Sequence, residues 1–466
     1  MRVEFAASCL GLLLALAACT SPDSVPPPEQ AAQPPVEPPL PPEIKVGLLL
    51  PFTGPASELA EDMRDAAFMA LFDVGEHDLV LLPRDTQGTP EGARQAAGQV
   101  IGEGAELILG PLFNQAVTAI GPVARQADIR VLAFSNVTDA ASEGTFLLGF
   151  RPEEQVARVV RHALETVQRR PDENLVDELL QMTEPGELEA VEPEPVQPEP
   201  EPLAPGPLRI AALAPDDPYG TTAMNALRRA VVQGAGNLVA TALYPPEGDP
   251  SSVVRQVAAY DARKAALERE KTRLAGREDE ASKRALARLE TLDTLGPPPF
   301  DAILLADGGN RLRSVASLLT FYDVDPTTAR FLGTMRWQDD VRVLEEAALQ
   351  GGRFAAPPPG NVAAFQSRFE AIYGRPPELL AALAYDATAL AVIAARDLGD
   401  RSFAEATLTN PQGFTGASGL FRLRADELAD HGLAILEVAR GTTRVIDPPP
   451  ESFVDELAAR EPVIAN

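Results

Sequence analysis

The chain has 466 residues, 45% of them hydrophobic, which is enough apolar material for two or three domain-sized cores. Its 68 acidic residues against 40 basic ones leave a net charge of -28, which argues against a nucleic-acid partner. The histidines, His77, His162 and His431, are too scattered for a histidine metal motif, and each reads as an ordinary surface residue.

The chain starts with an apolar run from Phe5 to Ala18, preceded by Arg2. It is shorter than the ~20 residues needed to span a bilayer, and it ends in small residues, as a secretory signal peptide does. Residues 1–18 are therefore expected to be removed, and Cys9 with them. The order Leu16-Ala17-Ala18-Cys19 resembles the bacterial lipobox, whose cysteine becomes the first residue and carries lipids. That resemblance makes Cys19 a lipidation site. It also makes Cys19 the sole remaining thiol, which excludes disulfides, thiolate metal sites and a cysteine nucleophile. Thr20 stands where an aspartate would retain a lipoprotein in the inner membrane. By the same resemblance, the expected location is the outer membrane, lipid-anchored on its periplasmic face. Residues 19–43 are Pro-rich and favour polyproline II, a tether reaching roughly 70 Å.

From Ile44 the pattern becomes globular. KVGLLLPF reads as a buried strand, and ASELAEDMRDAAFMALFDV as an amphipathic helix with Leu59, Met63, Ala66, Ala67, Ala70 and Leu71 on one face. Ser57 is a plausible N-cap. DLVLLPRD, PEGARQAAGQVI, AELILGP, FNQAVTAIGPVARQA and IRVLAFSN continue the alternation of strand and helix. TFLLGF and a helix from about residue 153 to 169 close this block. An acidic insert, 171–206, contains EPEPVQPEPEP; between Pro171 and Pro202 it has 11 acidic residues and no Lys or Arg. Such a segment buries too little to fold. The alternation then restarts with LRIAALAPDD, a helix from about 221 to 233, and NLVATALYP. A charged insert, 260–296, predicts one long helix or a helical hairpin broken near Gly276. FDAILLADGG, a helix through Leu318, RFLGTMRW, a short helix from about Asp340, and GGRFAAP follow. Helices near 365–373 and 379–398 come next, and GLFRLR with LAILEVAR predicts a β-hairpin.

Strands alternating with helices mean parallel sheets with right-handed crossovers. The expected fold is α/β, two doubly wound parallel-sheet lobes around a cleft. Lobe 1 is placed at 44–151 plus 355–415 and lobe 2 at 152–354 plus 416–445, with 446–466 as a tail. No G-x-S-x-G, H-E-x-x-H or P-loop occurs, so no enzymatic activity, cofactor or metal is expected. Asp216 and Asp217 could act as paired carboxylates or, more simply, form a turn with an N-capping aspartate.

KVGLLLPFTGP, ILGPLFNQAVTAIGPVARQADIRVLAFSN, PDDPYG and GFTGASGLFRLRADELADHGLAIL together resemble the type I periplasmic-binding fold of Leu/Ile/Val-binding proteins, over roughly 44–445. The resemblance implies a small polar ligand such as an amino acid in the cleft. It matches first-lobe contacts to Asn114, Asn136 and Thr138. In the second lobe it matches Tyr219, with Asp217 on the same loop, and Trp337 where an acidic residue is typical. Asn114 could instead cap its helix, and Asn136 end its strand. A narrower resemblance rests on YDARKAALEREKTRL followed by FDAILLADGGNRLRSVASLLTFYDVDPTTARFLGTMRW. This order is similar to the carboxy-terminal domain of penicillin-binding-protein activator lipoproteins. They are outer-membrane lipoproteins that stimulate a bifunctional peptidoglycan synthase. Their amino-terminal helical-repeat domain has no counterpart here, and the Pro-rich tether stands in its place. Two functions result: activation of a peptidoglycan synthase, or delivery of an amino acid to an ABC permease.

Overall fold

The computed structural model describes residues 43–74, 79–167, 206–338, 340–397 and 403–453. Cys19, the tether, His77, most of the acidic insert and the end of the tail lie outside the described residues.

The first lobe is built on a five-stranded parallel sheet, ordered β2-β1-β3-β4-β5. Its strands are β1 (Ile44–Leu50), β2 (Leu79–Asp85), β3 (Leu107–Leu109), β4 (Arg130–Ala133) and β5 (Thr145–Leu147). Val46, Leu48, Leu49 and Leu50 of β1 are fully buried, because helices cover both sheet faces and an alternating pattern would place polar groups in a core. Helix α1 (Ser57–Val74) buries Ala60, Met63, Ala66, Ala67 and Ala70, while Leu59 and Leu71 are only partly covered. Helices α2 (Pro90–Gly102) and α3 (Asn114–Gln126) pack together over the other face. Thr89 caps α2 by accepting from the Gly92 amide, with Pro90 in the first turn as expected.

Helix α4 (Pro152–Thr166) leads into the second lobe. There a seven-stranded sheet runs β15-β14-β10-β9-β8-β6-β7. Its parallel strands are β6 (Arg209–Pro215), β7 (Asn237–Tyr244), β8 (Ala302–Leu305), β9 (Arg330–Gly333) and β10 (Arg353–Ala356). Helix α5 (Pro218–Gln233) packs against α4 and starts one turn earlier than its periodicity suggests. The Asp217 side chain caps it and Pro218 fixes its first turn.

The charged insert is a hairpin, α7 (Tyr260–Ala275) and α8 (Glu280–Leu289), preceded by the short α6 (Ser251–Val257). Leu267, Leu274, Ala285 and Leu289 form a small core of their own. Arg263, buried, anchors the hairpin by donating to the carbonyls of Gly296, Tyr322 and Asp323. Helix α9 (Gly309–Phe321) and the short α10 (Val341–Glu345) complete this lobe.

The chain then returns to the first lobe. Helices α11 (Pro359–Tyr373) and α12 (Ala381–Asp397) follow β10, and α12 packs along α1. Both helices present alanines, which lets them approach closely. Tyr373 donates to the Asp65 carbonyl, Tyr385 and Arg368 bond Asp73, and Arg375 pairs with Asp62 and Asp65.

Two expectations change at the end of the chain. GLFRLR and LAILEVAR do not pair. Strand β12 (Gly419–Leu423) lies between β11 (Phe414–Gly416) and β13 (Ala429–His431) in a separate antiparallel sheet. Strand β14 (Ala434–Ala439) instead pairs with β10 and with β15 (Thr442–Asp447). The run Ala434-Ile435-Leu436 is buried throughout and needs cover on both faces, which a two-stranded hairpin lacks. The boundary at 415/416 falls inside β11, and a bridge from Leu147 to Leu428 ties this small sheet to β5. The histidines also differ from the expected surface placement: His162 and His431 are buried. Each can be buried because a carboxylate, Asp447 or Glu154, faces its Nδ1.

Candidate functional site

Both sheets reverse strand order next to their first strand. In the first lobe β1 has β2 on one side and β3 on the other, and in the second β6 lies between β7 and β8. At such a point the outgoing segments part, leaving a crevice beyond the carboxyl ends of the strands. The candidate residues fall into these two rims.

In the first lobe, Gly110 shapes the rim. Its φ is 92°, and a Cβ there would lie 2.2 Å from the Leu49 carbonyl oxygen, so only glycine lets β3 turn over β1. Asn114 opens α3, exposed, and its Oδ1 accepts from the Gln115 amide at 2.9 Å. Asn136 is also exposed, and its Nδ2 donates to the Phe150 carbonyl at 3.4 Å. Thr138 donates to Glu153 Oε1 at 3.0 Å, while Glu153 Oε2 is buried without a hydrogen-bond partner among the described residues. The amide of Phe134 bonds the Pro111 carbonyl, which joins the two loops carrying these residues. Asn136 and Thr138 are thus both tied to the start of α4, where the chain crosses to the second lobe.

In the second lobe, Asp217 is committed to capping α5, with Oδ1 2.7 Å from the Gly220 amide. Tyr219, on the first turn of α5, shares a hydrogen bond with Thr334 at 2.7 Å across the ends of β6 and β9. The Arg336 guanidinium lies over the Tyr219 ring, 4.7 Å from its centroid. Beside them Tyr244, at the end of β7, donates to Asp307 Oδ2 at 2.6 Å. Burial and the adjacent Asp307 charge push the Tyr244 phenol well above its usual range, so it remains a donor. Asp307 Oδ1 accepts from the Gly308 amide at 2.8 Å and lies 3.8 Å from Arg336. Arg311 lies over the Tyr244 ring.

Trp337 is not part of this rim. It is fully buried, donates from Nε1 to the Leu305 carbonyl at 3.1 Å, and packs on Phe354. Gly333 and Gly352 leave the room for its indole; a Cβ on Gly333 would meet the ring at 2.1 Å. The turn Met335–Gln338 sends Arg336 to the rim and its neighbours inward. Thr334, Arg336, Asp307 and Tyr244 were not singled out from the sequence. An aspartate before Gly-Gly after FDAILLA, and a tyrosine closing NLVATALY, were the available signals.

The Met335 amide donates to Gln155 Oε1 at 3.0 Å, and Gln155 Nε2 donates to the Phe150 carbonyl at 3.2 Å. The carbonyl that holds Asn136 is thereby connected to the residue before Arg336. A concavity of about 290 Å³ lies away from both rims, lined by Met69, Phe365, Arg368, Tyr385 and Ala417. Arg368 and Tyr385 are already bonded to Asp73 there, so it has less to offer a polar ligand.

Two α/β lobes, each with polar side chains at its switch point, define a domain of the two-lobed binding-protein type. The chain belongs to the Periplasmic binding protein family, whose profile matches residues 43–443. Solved structures of the same type I fold include a branched-chain amino acid ABC transporter periplasmic ligand-binding protein from Burkholderia xenovorans. It is 15% identical, covering 88% of this chain and 97% of that one, with a TM-score of 0.58. A solute-binding protein of an ABC transporter from Rhodopseudomonas palustris, in complex with 3,4-dihydroxybenzoic acid, is 15% identical. It covers 88% of this chain and 97% of that one, with a TM-score of 0.54. The branched-chain amino acid transporter substrate-binding protein LivJ from Streptococcus pneumoniae, in complex with isoleucine, is also similar. It is 15% identical, covering 87% of this chain and 100% of that one, with a TM-score of 0.50. The uncharacterized protein RP748 of Rickettsia prowazekii is 26% identical over 121 residues, which is 32% of its length and 26% of this chain.

Proposed function

We propose that this chain is a lipid-anchored periplasmic receptor that holds a small polar solute between its lobes and presents it to an ABC permease. The observation that carries the reading is the pair of polar rims at the two switch points, above all Tyr219, Thr334, Arg336 and Asp307, gathered from the segments that follow β6, β9 and β8. The family and the ligand complexes of its structural neighbours support it. The test is a thermal-shift and calorimetry screen of the purified full chain against small amino acids and aromatic acids. A ligand that binds only the native state at a hundred times its Kd stabilises it by about 2.7 kcal/mol, a readily measured rise in Tm. A screen without a binder would count against the receptor reading.

A second reading is favoured by one observation. The α7–α8 hairpin has its own core and an arginine-built anchor, and solute capture has no evident use for it. In this reading the chain is an outer-membrane lipoprotein that activates a peptidoglycan synthase, and the hairpin is its docking element. Crosslinking in cells followed by mass spectrometry should then recover a synthase, and deleting residues 260–294 should abolish the crosslink. Recovery of a permease instead would favour the receptor.

A further inference from the structure

Resting on the receptor reading, we infer that the cleft selects a small organic carboxylate, and that Arg336 of the second lobe is the group that holds its negative end. Arg336 stands at the end of β9 with its side chain 38% exposed. Its guanidinium makes no hydrogen bond to any described residue; its contacts are the face of Tyr219 and the 3.8 Å approach to Asp307. A guanidinium carries five N–H donors in a planar fork that matches a carboxylate. Stacking on Tyr219 holds that fork in place without using its donors. Tyr219 is itself fixed by its bond to Thr334, so the stack joins the first turn of α5 to the segment that follows β9.

The acidic groups of the same rim are differently placed. Asp217 caps a helix, and Asp307 is buried with one oxygen accepting from Tyr244 and the other from Gly308. Asp216, exposed at the end of β6, is the remaining carboxylate. It could take an ammonium group where the ligand carries one beside its carboxylate. Asp217 and Asp307 already accept hydrogen bonds from the fold, whereas the Arg336 guanidinium gives none to a described residue, so the unused N–H donors of this rim lie on Arg336.

The experiment measures binding by the full chain to free acids paired with their neutral amides: isoleucine with isoleucinamide, and benzoate and 3,4-dihydroxybenzoate with their benzamides. The acids should bind and the amides should bind about ten- to a hundredfold more weakly, the factor expected for a lost charged hydrogen bond. Arg336→Gln should weaken the acids by a similar factor and leave the amides unchanged, and Arg336→Lys should recover part of the loss. Circular dichroism and the unliganded Tm show whether each variant is folded. Equal binding of acids and amides, or an undiminished acid preference in Arg336→Gln, overturns the assignment and leaves the receptor reading standing. If no acid or amide binds the wild-type chain, both are overturned.

Discussion

Asp386 is 1% exposed, yet it is a carboxyl. Its oxygens accept from the amides of Ala417 and Ser418 and from the Ser418 hydroxyl, which pins α12 to the turn between β11 and β12. Gly416 is required beside it, since a Cβ there would sit 2.0 Å from Asp386 Oδ1. Burial pushes this acid up to about 6, against the pull of those hydrogen bonds. The folded value lies above the unfolded one, so folding takes up a proton between about pH 4 and pH 6. The stability contributed is fully present below about pH 4 and is lost as pH rises through 6. Asp386→Asn removes the titration and puts an amide donor against backbone amides. It should destabilise the chain by about 1–3 kcal/mol at pH 4. The margin between wild type and variant should shrink towards pH 7, as read from urea midpoints across that range. A margin that does not change with pH would show that Asp386 does not titrate there.

At the scale of the element, the hairpin offers the cleanest test. Its core does not merge with the main one, and Arg263 supplies much of its attachment. Arg263→Ala strands the carbonyls of Gly296 and Asp323, which should cost about 2–4 kcal/mol of local stability. Hydrogen exchange should then rise across residues 260–295 while the amides of β6, β8 and β9 stay protected. A uniform rise over the whole lobe would mean that hairpin and sheet unfold together. The elements themselves were largely legible in the sequence. Strands such as KVGLLL and LRIAALAP are continuous apolar runs because both faces are covered, and Pro90, Asp217 and Asp340 announce helix starts. Pairing between distant elements was not legible. Nothing local says that β14 joins β10 rather than β12, because register comes from the neighbouring strand. The site was half legible for the same reason. Tyr219 follows a recognisable strand–turn–helix. Arg336 and Trp337 are adjacent, and only the turn that carries them decides which faces the rim and which fills the core.

For the whole molecule, the question is where it is held. No helix among the described residues is long and apolar enough to cross a membrane. If Cys19 is lipidated, as we propose, wild-type protein should sediment with membranes and its amino-terminal peptide should carry acyl mass. Cys19→Ala should move the protein to the periplasmic fraction with its fold and ligand binding unchanged. Membrane retention of that variant would point to a different anchor.

If the chain is exported, as we propose, the packing of α12 on α1 also sets an order of events. Helix α1 ends at Val74, and the helix that covers its alanine face begins only at Ala381. A chain threaded across the membrane from its amino terminus must keep that face bare until most of its length has emerged. The first lobe, although it is the first to arrive, cannot be completed until late. Long-range closure of this kind folds slowly. On that proposal, chaperones and proteases beyond the membrane would meet an uncovered, alanine-lined helix until residue 381 had emerged, and translocation rather than local folding would time the maturation of the first lobe.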